Sequence, residues 1–415
     1  MAIPIKNKRK IINDPVHGFV TIPSDFIFDL IEHPFLQRLR RIKQLGLTHY
    51  VYPGATHTRF QHTIGALHLM TLAIGSLKSK GIVITDEEQE AVQIAILLHD
   101  IGHGPFSHAL EETFIPGITH EQLSGLLMNK LNREFSSRLD LAIAVYTDSY
   151  SKKFLHQLVT SQLDMDRLDY IQRDSFFTGV TEGTIGTDRI IKMLNVHNDN
   201  LVVEKKGIYS VEKFLISRRL MYWQVYFHKT VIASENLLVR TLQRAKSLAG
   251  RNKSIYSTPA LSYFLNRTFD AGLIKNDSDN LIEHFNKLDD TDIVVSVKEW
   301  QYYDDPILSM LSGNLLNRIL PAVTISDQPF PEPAIQKIST AIVQKYKIQT
   351  SDLHYLISDG VISNNAYTSR ADMIQVLVSR EEVKKFSEVS DILNDLYMER
   401  SEKKYFLCFP KEFGV

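Results

Sequence analysis

Apolar residues recur at helical spacing along most of this chain. Residues 10–24 alternate between apolar and turn-forming types and predict extended structure, and helices are expected near 25–32 and 34–45. The pattern next predicts a long helix from residue 57 to residue 80. Gly81 would end that helix, because glycine is common just past a helix C-terminus.

A second strong helix follows, and its pattern predicts that it is buried. Thr85 and Glu88 have the spacing of a capping box, which begins the helix. The residues after them are apolar on most sides, as is typical of a helix inside a core. It is expected to end at Ile101 and Gly102, with His99 and Asp100 in its last turn.

The middle of the chain also reads as mainly helical. Shorter helices are expected at 119–132, 136–147, 151–158 and 160–173. A hairpin is expected over residues 201–209, followed by a helix that Ser210 caps and that continues past Leu237. Asp305 and Pro306 predict another helix start, since proline suits the first turn.

The pattern changes after about residue 317, where short apolar runs replace long helices. Strands are expected at Ile319–Ile325, Leu353–Ile357, Met373–Val378 and Tyr405–Phe409, with helices at 333–346 and 388–397. This β-α-β-β-α-β order is that of a ferredoxin-like unit. We therefore expect a mostly α-helical core with a smaller C-terminal α+β unit. The expected parts are an N-terminal segment 1–50, a helical core 51–317 and a C-terminal domain 318–415.

Composition narrows the class of protein. The 415 residues carry a formal net charge of -1, so no overall attraction to nucleic acid or acidic membranes is predicted. The single cysteine, Cys408, allows no intrachain disulfide and fits a reducing compartment. No signal peptide is recognisable, and no apolar run approaches the roughly 20 residues that span a bilayer. A cytoplasmic location without membrane contact is expected. Basic residues cluster over 38–43, in an amphipathic segment that could direct arginines at a phosphate.

Histidines and aspartates form a candidate metal site. His99 and Asp100 are adjacent at a helix end, while His62 and Asp166 lie on two other predicted helices. Imidazole and carboxylate ligands without a thiolate suit Mn, Fe, Ni, Zn or Co. Four ligands leave an open position at a five- or six-coordinate ion, as catalysis requires. A lone histidine on an apolar helix is more often a satisfied core or surface residue, so this prediction depends on the four residues occurring as a set.

Longer motifs surround these residues. They are Asn13–Gly18, Gln37–Arg40, Lys43–Gly46, Pro53–His62 and Leu98–His108. Together they resemble the HD-domain deoxynucleoside triphosphate triphosphohydrolases, strongly over residues 10–240 and more weakly to about 320. The resemblance implies an HD-domain fold and a metal-dependent hydrolase.

The resemblance also implies the metal ligands and the catalytic groups. His62, His99, Asp100 and Asp166 would bind one divalent ion, with Mg added to the metals named above. His103, His108 and His120 are candidates for proton transfer and phosphate contact, because histidine changes charge near pH 7. His120 could instead be an ordinary first residue of a helix.

Three arginines are candidates for binding phosphate, since a guanidinium matches phosphate oxygens with a planar fork of donors. They are Arg59, Arg167 and Arg218; Arg59 is also a catalytic candidate, and Arg218 could equally be an exposed helix residue. By resemblance, the sugar would be bound by Gln44, Tyr170, Asp174 and Tyr226. The Tyr226 ring would occupy the place of a ribose 2′-hydroxyl.

The predicted reaction is hydrolysis of a dNTP, dGTP included, to a deoxynucleoside and inorganic triphosphate, with water attacking the α-phosphate. Two alternatives stay open. One is an HD phosphatase or phosphodiesterase acting on other nucleotides or single-stranded nucleic acid. The other is a non-catalytic nucleotide sensor or nucleic-acid-binding protein. By resemblance, Asn13, Asp14, Gln37 and Arg40 would bind an activating nucleotide, and a homo-oligomer, dimer or tetramer, is expected.

Overall fold

The computed structural model describes residues 10–106, 113–251, 253–269, 277–364, 373–393 and 402–414. An N-terminal hairpin comes first. Strand β1 (Ile11–Asp14) pairs antiparallel with β2 (Gly18–Thr21). Gly18 turns the chain with a φ of 72°, a left-handed conformation that costs glycine little because it has no Cβ. Extended structure at the start of the chain is thereby confirmed.

Two short helices follow the hairpin. They are α1 (Asp25–Glu32) and α2 (Pro34–Gln37). The second ends earlier than predicted, since residues Arg38–Arg41 form a 3-10 turn. This turn buries Arg38, whose guanidinium donates to the backbone carbonyls of Ile101 and His103.

Two long helices form the centre of the molecule. Helix α3 (Arg59–Ser79) begins after Thr58, and α4 (Asp86–Leu98) begins after Thr85. Both have the capping box, and the predicted one at Thr85 is confirmed. Residues 91–98 of α4 are all buried, as expected. Helix α4 ends at Leu98, so His99 is its C-cap residue rather than part of its last turn.

Five more helices surround these two. They are α5 (His120–Glu134), α6 (Asp140–Tyr146), α7 (Lys153–Val159), α8 (Met165–Thr178) and α9 (Thr187–Met193). Helix α8 begins later than predicted, because the Asp164 side chain accepts from the backbone N–H of Arg167 and caps it. No helix in the described ranges is both long and apolar enough to cross a membrane.

The central hairpin lies earlier than predicted. Strands β3 (Leu194–His197) and β4 (Asn200–Glu204) pair antiparallel around Asn198 and Asp199, which both have positive φ. Asparagine and aspartate tolerate this conformation in tight turns. The expected hairpin over residues 201–209 is therefore wrong, since residues 205–207 instead form a 3-10 turn.

The long helix predicted from Ser210 past Leu237 is interrupted. Helix α10 (Ile208–Met221) passes into a π-helical segment, Tyr222–Tyr226, and α11 (Lys229–Ala249) begins after His228. π-Helical turns are rare and occur often at functional sites. Within the described ranges, the remaining helices of the core are α12 (Pro259–Leu265), α13 (Ser278–Lys287), α14 (Asp290–Trp300) and α15 (Pro306–Leu316). Asp305 and Pro306 begin α15 as predicted.

Short strands and helices make up the C-terminal part. They are β5 (Ala322–Ser326), α16 (Glu332–Tyr346), β6 (Ser358–Asn364), β7 (Gln375–Leu377), β8 (Val383–Lys385), α17 (Phe386–Val389) and β9 (Glu402–Phe409). The strand predicted at 353–357 is wrong, because residues 350–355 form a 3-10 helix. Of the helix predicted at 388–397, residues 394–397 lie outside the described part of the chain.

The C-terminal strands belong to two sheets, which excludes the ferredoxin-like arrangement. One sheet has the order β5-β9-β6, all antiparallel. In the other, β7 pairs parallel with β4 of the helical part, giving the order β3-β4-β7-β8. A ferredoxin-like unit would hold all its strands in one sheet. The expected fold class, a mostly α-helical core with a smaller C-terminal region of strands and helices, is confirmed.

Candidate metal centre and nucleotide cleft

Three helices bring the candidate ligands together. Helix α3 contributes His62, the C-terminus of α4 contributes His99 and Asp100, and the first turn of α8 contributes Asp166. His62 Nε2 lies 3.1 Å from Asp166 Oδ1, and His99 Nε2 lies 3.5 Å from the same oxygen. One ligand atom from each of these three residues lies within 4.8 Å of the others. Such a group can hold one metal ion.

Hydrogen bonds on the far side of each imidazole set its orientation. His62 Nδ1 donates to Asp169 Oδ2 at 2.8 Å, and His99 Nδ1 donates to the carbonyl of Ile96 at 2.6 Å. A proton on Nδ1 leaves Nε2 with a free lone pair, as a metal ligand requires. In the described part of the chain, neither buried Nε2 has a hydrogen bond of acceptable geometry. The residues present therefore fit a divalent cation.

Asp100 lies at the edge of this group. Its Oδ1 is 3.3 Å from His99 Nε2, and its Oδ2 is 3.9 Å from His62 Nε2. Arg59 Nη1 donates to Asp100 Oδ2 at 2.6 Å. Burial alone would raise the pKa of Asp100, but the charges of His99 and Arg59 outweigh it and hold that pKa well below its usual range. Asp100 is thus an anion between the cluster and Arg59.

Negative charge dominates around His62. Burial alone would lower its pKa, but the neighbouring carboxylates of Asp166 and Asp169 raise the pKa to about 10. A divalent cation would neutralise the same carboxylates, and on binding it would displace the proton from His62 Nε2.

The candidate catalytic histidines lie beside Asp100. His103 Nε2 is 3.4 Å from Asp100 Oδ1, and the His103 ring stacks on His120 with 3.8 Å between centroids. Burial, followed by the charge of Arg59, lowers the pKa of His103 to about 3. His120 is the first residue of α5, as its alternative interpretation expected, and it still reaches this cluster. His108 lies outside the described residues.

The three candidate phosphate-binding arginines are at least partly buried. Arg218, which could have been an exposed helix residue, is 5% exposed and donates to Gln162 Oε1 at 3.1 Å. Arg167 pairs with Asp164 Oδ2 at 3.3 Å. Within the described ranges, the Nε atoms of Arg167 and Arg218 are buried without a hydrogen-bond partner. Each can therefore donate to a bound anion.

The candidate sugar-binding residues line or adjoin one cleft. A cavity of about 620 Å³ has Gln44, Arg59 and Tyr226 among its lining residues. This volume is within the roughly 300–1,000 Å³ typical of small-molecule sites. Tyr226 OH donates to Asp174 Oδ2 at 2.8 Å, and the Tyr170 and Tyr226 rings meet edge to face at 6.4 Å. Strand β6 and Phe406 of β9 form part of the cleft wall.

The candidate regulatory residues meet at a second cavity. Its volume is about 360 Å³, and its lining includes Asn13, Asp14 and Arg40. Arg40 Nε donates to Gln37 Oε1 at 2.8 Å, and the Arg40 guanidinium lies over the Phe60 ring. Of the basic segment 38–43, Arg38 is thus bound to backbone carbonyls, and Arg41 forms an ion pair with Asp289 rather than facing a phosphate.

Sequence reasoning missed three buried side chains around the site. His57 Nε2 donates to Asp174 Oδ1 at 2.7 Å, and His17 Nε2 donates to Asp169 Oδ1 at 2.6 Å. Arg173 donates to both Asp14 and Asp169. His17 and His57 belong to the motifs Asn13–Gly18 and Pro53–His62, so their place in those motifs was the available signal. Arg173 had no signal beyond its spacing of four residues from Asp169.

Known proteins are similar to this chain in sequence. The family model of the HD domain matches residues 59–174, and that of an HD-associated region matches residues 185–256. Among curated proteins, the uncharacterized protein YwfO of Bacillus subtilis (strain 168) is 35% identical over 321 residues, or 76% of this chain and 71% of that protein. A deoxynucleoside triphosphate triphosphohydrolase SAMHD1 homolog of Dictyostelium discoideum is 33% identical over 54% of this chain, which spans 47% of that protein.

Two crystal structures extend the likeness to nearly the whole chain. A phosphohydrolase from Bacteroides thetaiotaomicron VPI-5482 has a TM-score of 0.93 and 50% identity, covering 97% of this chain and 100% of that one. A hypothetical protein from Aquifex aeolicus has a TM-score of 0.71 and 26% identity, covering 97% and 96%. With the HD-domain match and the His/Asp cluster at its centre, these likenesses show that the chain belongs to the HD-domain phosphohydrolase family.

Proposed function

We propose that this protein hydrolyses deoxynucleoside triphosphates to a deoxynucleoside and inorganic triphosphate. The observation that carries the proposal is the position of Arg59. Its guanidinium donates to Asp100 at the metal cluster, and the same side chain lines the cleft that also contains Gln44 and Tyr226. A phosphate held at the cluster would therefore have its nucleoside in this cleft.

The proposed metal ligands are His62, His99, Asp100 and Asp166. A divalent ion bound there, one of Mn, Fe, Ni, Zn, Co or Mg, would polarise the α-phosphate and acidify a bound water. Asp169 and the Ile96 carbonyl keep the two imidazoles oriented toward it. The buried and unpartnered Nε2 atoms of both histidines support this assignment.

Arginines would bind the triphosphate. Arg59 reaches the α-phosphate position beside Asp100, while Arg167 and Arg218 each keep a buried Nε–H without a partner in the described ranges. Donors fixed in a buried site stabilise the charge of a phosphoryl transition state more than the same groups in water. Three guanidinium groups suit a triphosphate better than a monophosphate.

The reaction forms one bond and breaks one bond. The oxygen of a water molecule bonds to the α-phosphorus, and the bond from that phosphorus to the 5′-oxygen breaks. A histidine from the group His103, His108 and His120 protonates the departing 5′-oxygen, and the attacking water loses its proton. The products are the deoxynucleoside and inorganic triphosphate.

Aromatic and acidic groups would select deoxyribose. Asp174 accepts a hydrogen bond from the 3′-hydroxyl, and Tyr170 packs against the sugar. The Tyr226 ring, held by its hydrogen bond to Asp174, occupies the place of a 2′-hydroxyl. Ribonucleotides would be rejected by this clash rather than by a weaker attraction.

Product identification tests the proposal. Purified protein is incubated with each of the four dNTPs, dGTP included, in Mn or Mg, and the phosphate products are separated by anion exchange. We expect inorganic triphosphate and a deoxynucleoside in equal amounts. Release of orthophosphate or pyrophosphate would contradict the proposal. Asp166→Asn should abolish turnover, while Asp279→Asn, in an exposed ion pair with Arg133, should not.

The same assay separates the alternatives. Turnover of nucleoside monophosphates or single-stranded oligonucleotides without turnover of dNTPs would favour an HD phosphatase or phosphodiesterase. Binding of dNTPs without any product would favour a nucleotide sensor.

Regulation is a further part of the proposal. An activating nucleotide would bind at the cavity lined by Asn13, Asp14 and Arg40, with Gln37 fixing Arg40, in a homo-oligomer. A lag in turnover of one dNTP that a second dNTP abolishes would support activation. Sedimentation as a monomer at assay concentration would count against the homo-oligomer.

A further inference from the structure

A line of buried polar side chains connects the N-terminal hairpin to the metal cluster. Asp14, the last residue of β1, accepts from Arg173 Nη1 at 2.8 Å. Arg173 donates in turn from Nε and Nη2 to the two oxygens of Asp169, at 2.8 and 2.9 Å. Asp169 Oδ2 also accepts from His62 Nδ1 at 2.8 Å. Each step of this line is a direct hydrogen-bonded contact between side chains, and the line ends on a proposed metal ligand.

The hairpin makes a second contact with the same carboxylate. His17 Nε2 donates to Asp169 Oδ1 at 2.6 Å. Asp14 sets the position of His17, because Asp14 Oδ1 accepts from the backbone N–H groups of Val16 and His17, both at 2.9 Å. The two oxygens of Asp169 therefore accept hydrogen bonds from three residues, His17, His62 and Arg173, and Asp14 holds two of these, His17 and Arg173.

The central helix leaves space for this network at one position. Gly65 lies one turn after His62 on α3, and a Cβ added there would overlap Asp169 Oδ1 and Arg173 Nη2. A glycine in a helix interior costs roughly 0.5–1 kcal/mol relative to alanine. The close approach of the Asp169–Arg173 pair to α3 accounts for a glycine at this position.

We infer that Asp14 and His17 of the N-terminal hairpin are positioning residues for the metal site, acting through Arg173 and Asp169 on His62. Neither touches a proposed ligand atom. They fix the direction of the Asp169 carboxylate, and this fixes the tautomer and the ring orientation of His62. The inference rests on the metal site of the proposed function but not on the identity of the substrate.

A contribution to folding stability alone does not explain the buried line from Asp14 through Arg173 and Asp169 to His62. A buried ion pair is weak evidence for stabilisation, because desolvation of the two charges offsets their attraction. Orientation does explain it, because partners that hydrogen-bond to metal-binding histidines typically change metal affinity 10- to 100-fold when removed. Asp14 also lines the cavity proposed for the activating nucleotide, so a ligand bound there would contact the first residue of the line.

Metal affinity of the full chain tests the inference without any substrate. The dissociation constant for Mn²⁺ is measured by equilibrium dialysis with metal analysis for the native protein, Asp14→Asn and His17→Ala. Asp305→Asn is the matched control. Asp305 also forms a buried pair with an arginine, Arg244, and also accepts a backbone N–H, from Leu308. Asp305 caps α15 and lies outside the hydrogen-bonded line that ends on His62.

We expect Asp14→Asn to weaken Mn²⁺ binding at least tenfold, His17→Ala to weaken it severalfold, and Asp305→Asn to leave it within twofold. Equal Mn²⁺ affinity in the native protein and both hairpin variants would overturn the inference. So would equal weakening in Asp305→Asn, which would indicate a general loss of stability. If Asp14→Asn does not fold, as judged by circular dichroism, His17→Ala decides alone, because it removes only one of the two contacts.

Failure of the inference and failure of the proposed function are distinguishable. A protein that binds Mn²⁺ through the hairpin-dependent site but releases no triphosphate would keep the inference and lose the function. A protein that releases triphosphate, and whose variants all bind Mn²⁺ as tightly as the native protein, would keep the proposed function and lose the inference.

Discussion

His57 Nε2 donates to Asp174 Oδ1 at 2.7 Å, and the two residues are only 2% and 1% exposed. The second oxygen of Asp174 accepts from Tyr226 OH at 2.8 Å. Asp174 thus joins a histidine that precedes α3 to an aromatic ring in the π-helical segment. The Tyr226 ring would face a bound sugar. Asp174 fixes this ring through one oxygen, while its other oxygen accepts the hydrogen bond from His57.

Sugar selectivity should depend on the Tyr226 ring more than on its hydroxyl. Tyr226→Ala removes the group that would clash with a 2′-hydroxyl. We expect the ratio of kcat/KM for a ribonucleotide to that for the matching deoxynucleotide to rise at least tenfold. Tyr226→Phe is the matched control, because it keeps the ring and loses only the hydrogen bond to Asp174; its ratio should stay within threefold. An unchanged ratio in the alanine variant would remove Tyr226 from the proposed sugar site.

Two glycines of α3 should respond in opposite directions to replacement by alanine. A Cβ at Gly65 would overlap Asp169 and Arg173, whereas a Cβ at Gly75 meets nothing within 4 Å. Gly75→Ala should stabilise the protein by about 0.5–1 kcal/mol, because alanine has the higher helix propensity. Gly65→Ala should destabilise it and weaken Mn²⁺ binding. Urea unfolding measures the stability of both variants, and equilibrium dialysis measures their Mn²⁺ binding. A Gly65→Ala variant more stable than the native protein would mean that Asp169 and Arg173 can move aside without cost.

Metal removal should lower the thermal stability of the native protein. A ligand that binds only the folded state stabilises it by about 2.7 kcal/mol at a concentration 100-fold above its dissociation constant. We therefore expect a higher Tm in Mn²⁺ than in EDTA, measured by calorimetry. In His62→Ala the difference in Tm between the two conditions should largely disappear. A full Tm difference in that variant would place the ion elsewhere.

Glu88 should make part of the stability depend on pH. Burial acts to raise its pKa, but hydrogen bonds from Lys152, Tyr150 and the Thr85 backbone outweigh it and lower the pKa below its usual value. A carboxylate with a lowered folded-state pKa contributes stability above the unfolded-state pKa, roughly 4.3, and that stability is lost as pH falls through the folded-state pKa.

Glu88→Gln should accordingly be less stable than the native protein by about 1.5–3 kcal/mol at pH 7, the range for hydrogen bonds to charged groups. The difference should shrink as the pH falls below roughly 4. Urea unfolding across this pH range measures it. Glu283→Gln, which removes an exposed partner of Lys287, should change little at any pH. A difference for Glu88→Gln that is independent of pH would assign its effect to packing.

The sequence was sufficient to predict the main helices and the proximity of three candidate metal ligands. Thr85 and Glu88 predicted the start of α4, and the apolar pattern after them predicted its burial, because both signals are local. His62, His99 and Asp166 come from different parts of the helical core and lie together, and the pattern of histidines and aspartates had predicted them as one set.

The remaining features depend on contacts distant in sequence. Strand β7 pairs with β4, about 170 residues earlier in the chain, and no local pattern encodes that partner. Helix α8 begins later than predicted because the buried Asp164 side chain caps it at Met165. The burial of Arg173 could not be predicted from neighbouring residues, because its partner Asp14 lies in the N-terminal hairpin, far away in sequence.

The π-helical segment Tyr222–Tyr226 adds about one residue to the wall of the cleft. Its hydrogen bonds join residues five apart rather than four, so each residue turns the chain by less than the roughly 100° of an α-helix. Five residues here therefore cover nearly the same angle as four residues of regular helix, and the extra residue is accommodated within the segment. A single-residue deletion at Trp223 or Gln224 should accordingly leave Tyr226 directed toward Asp174. The same deletion within α10 would rotate every later side chain by about 100° and should destroy the cleft.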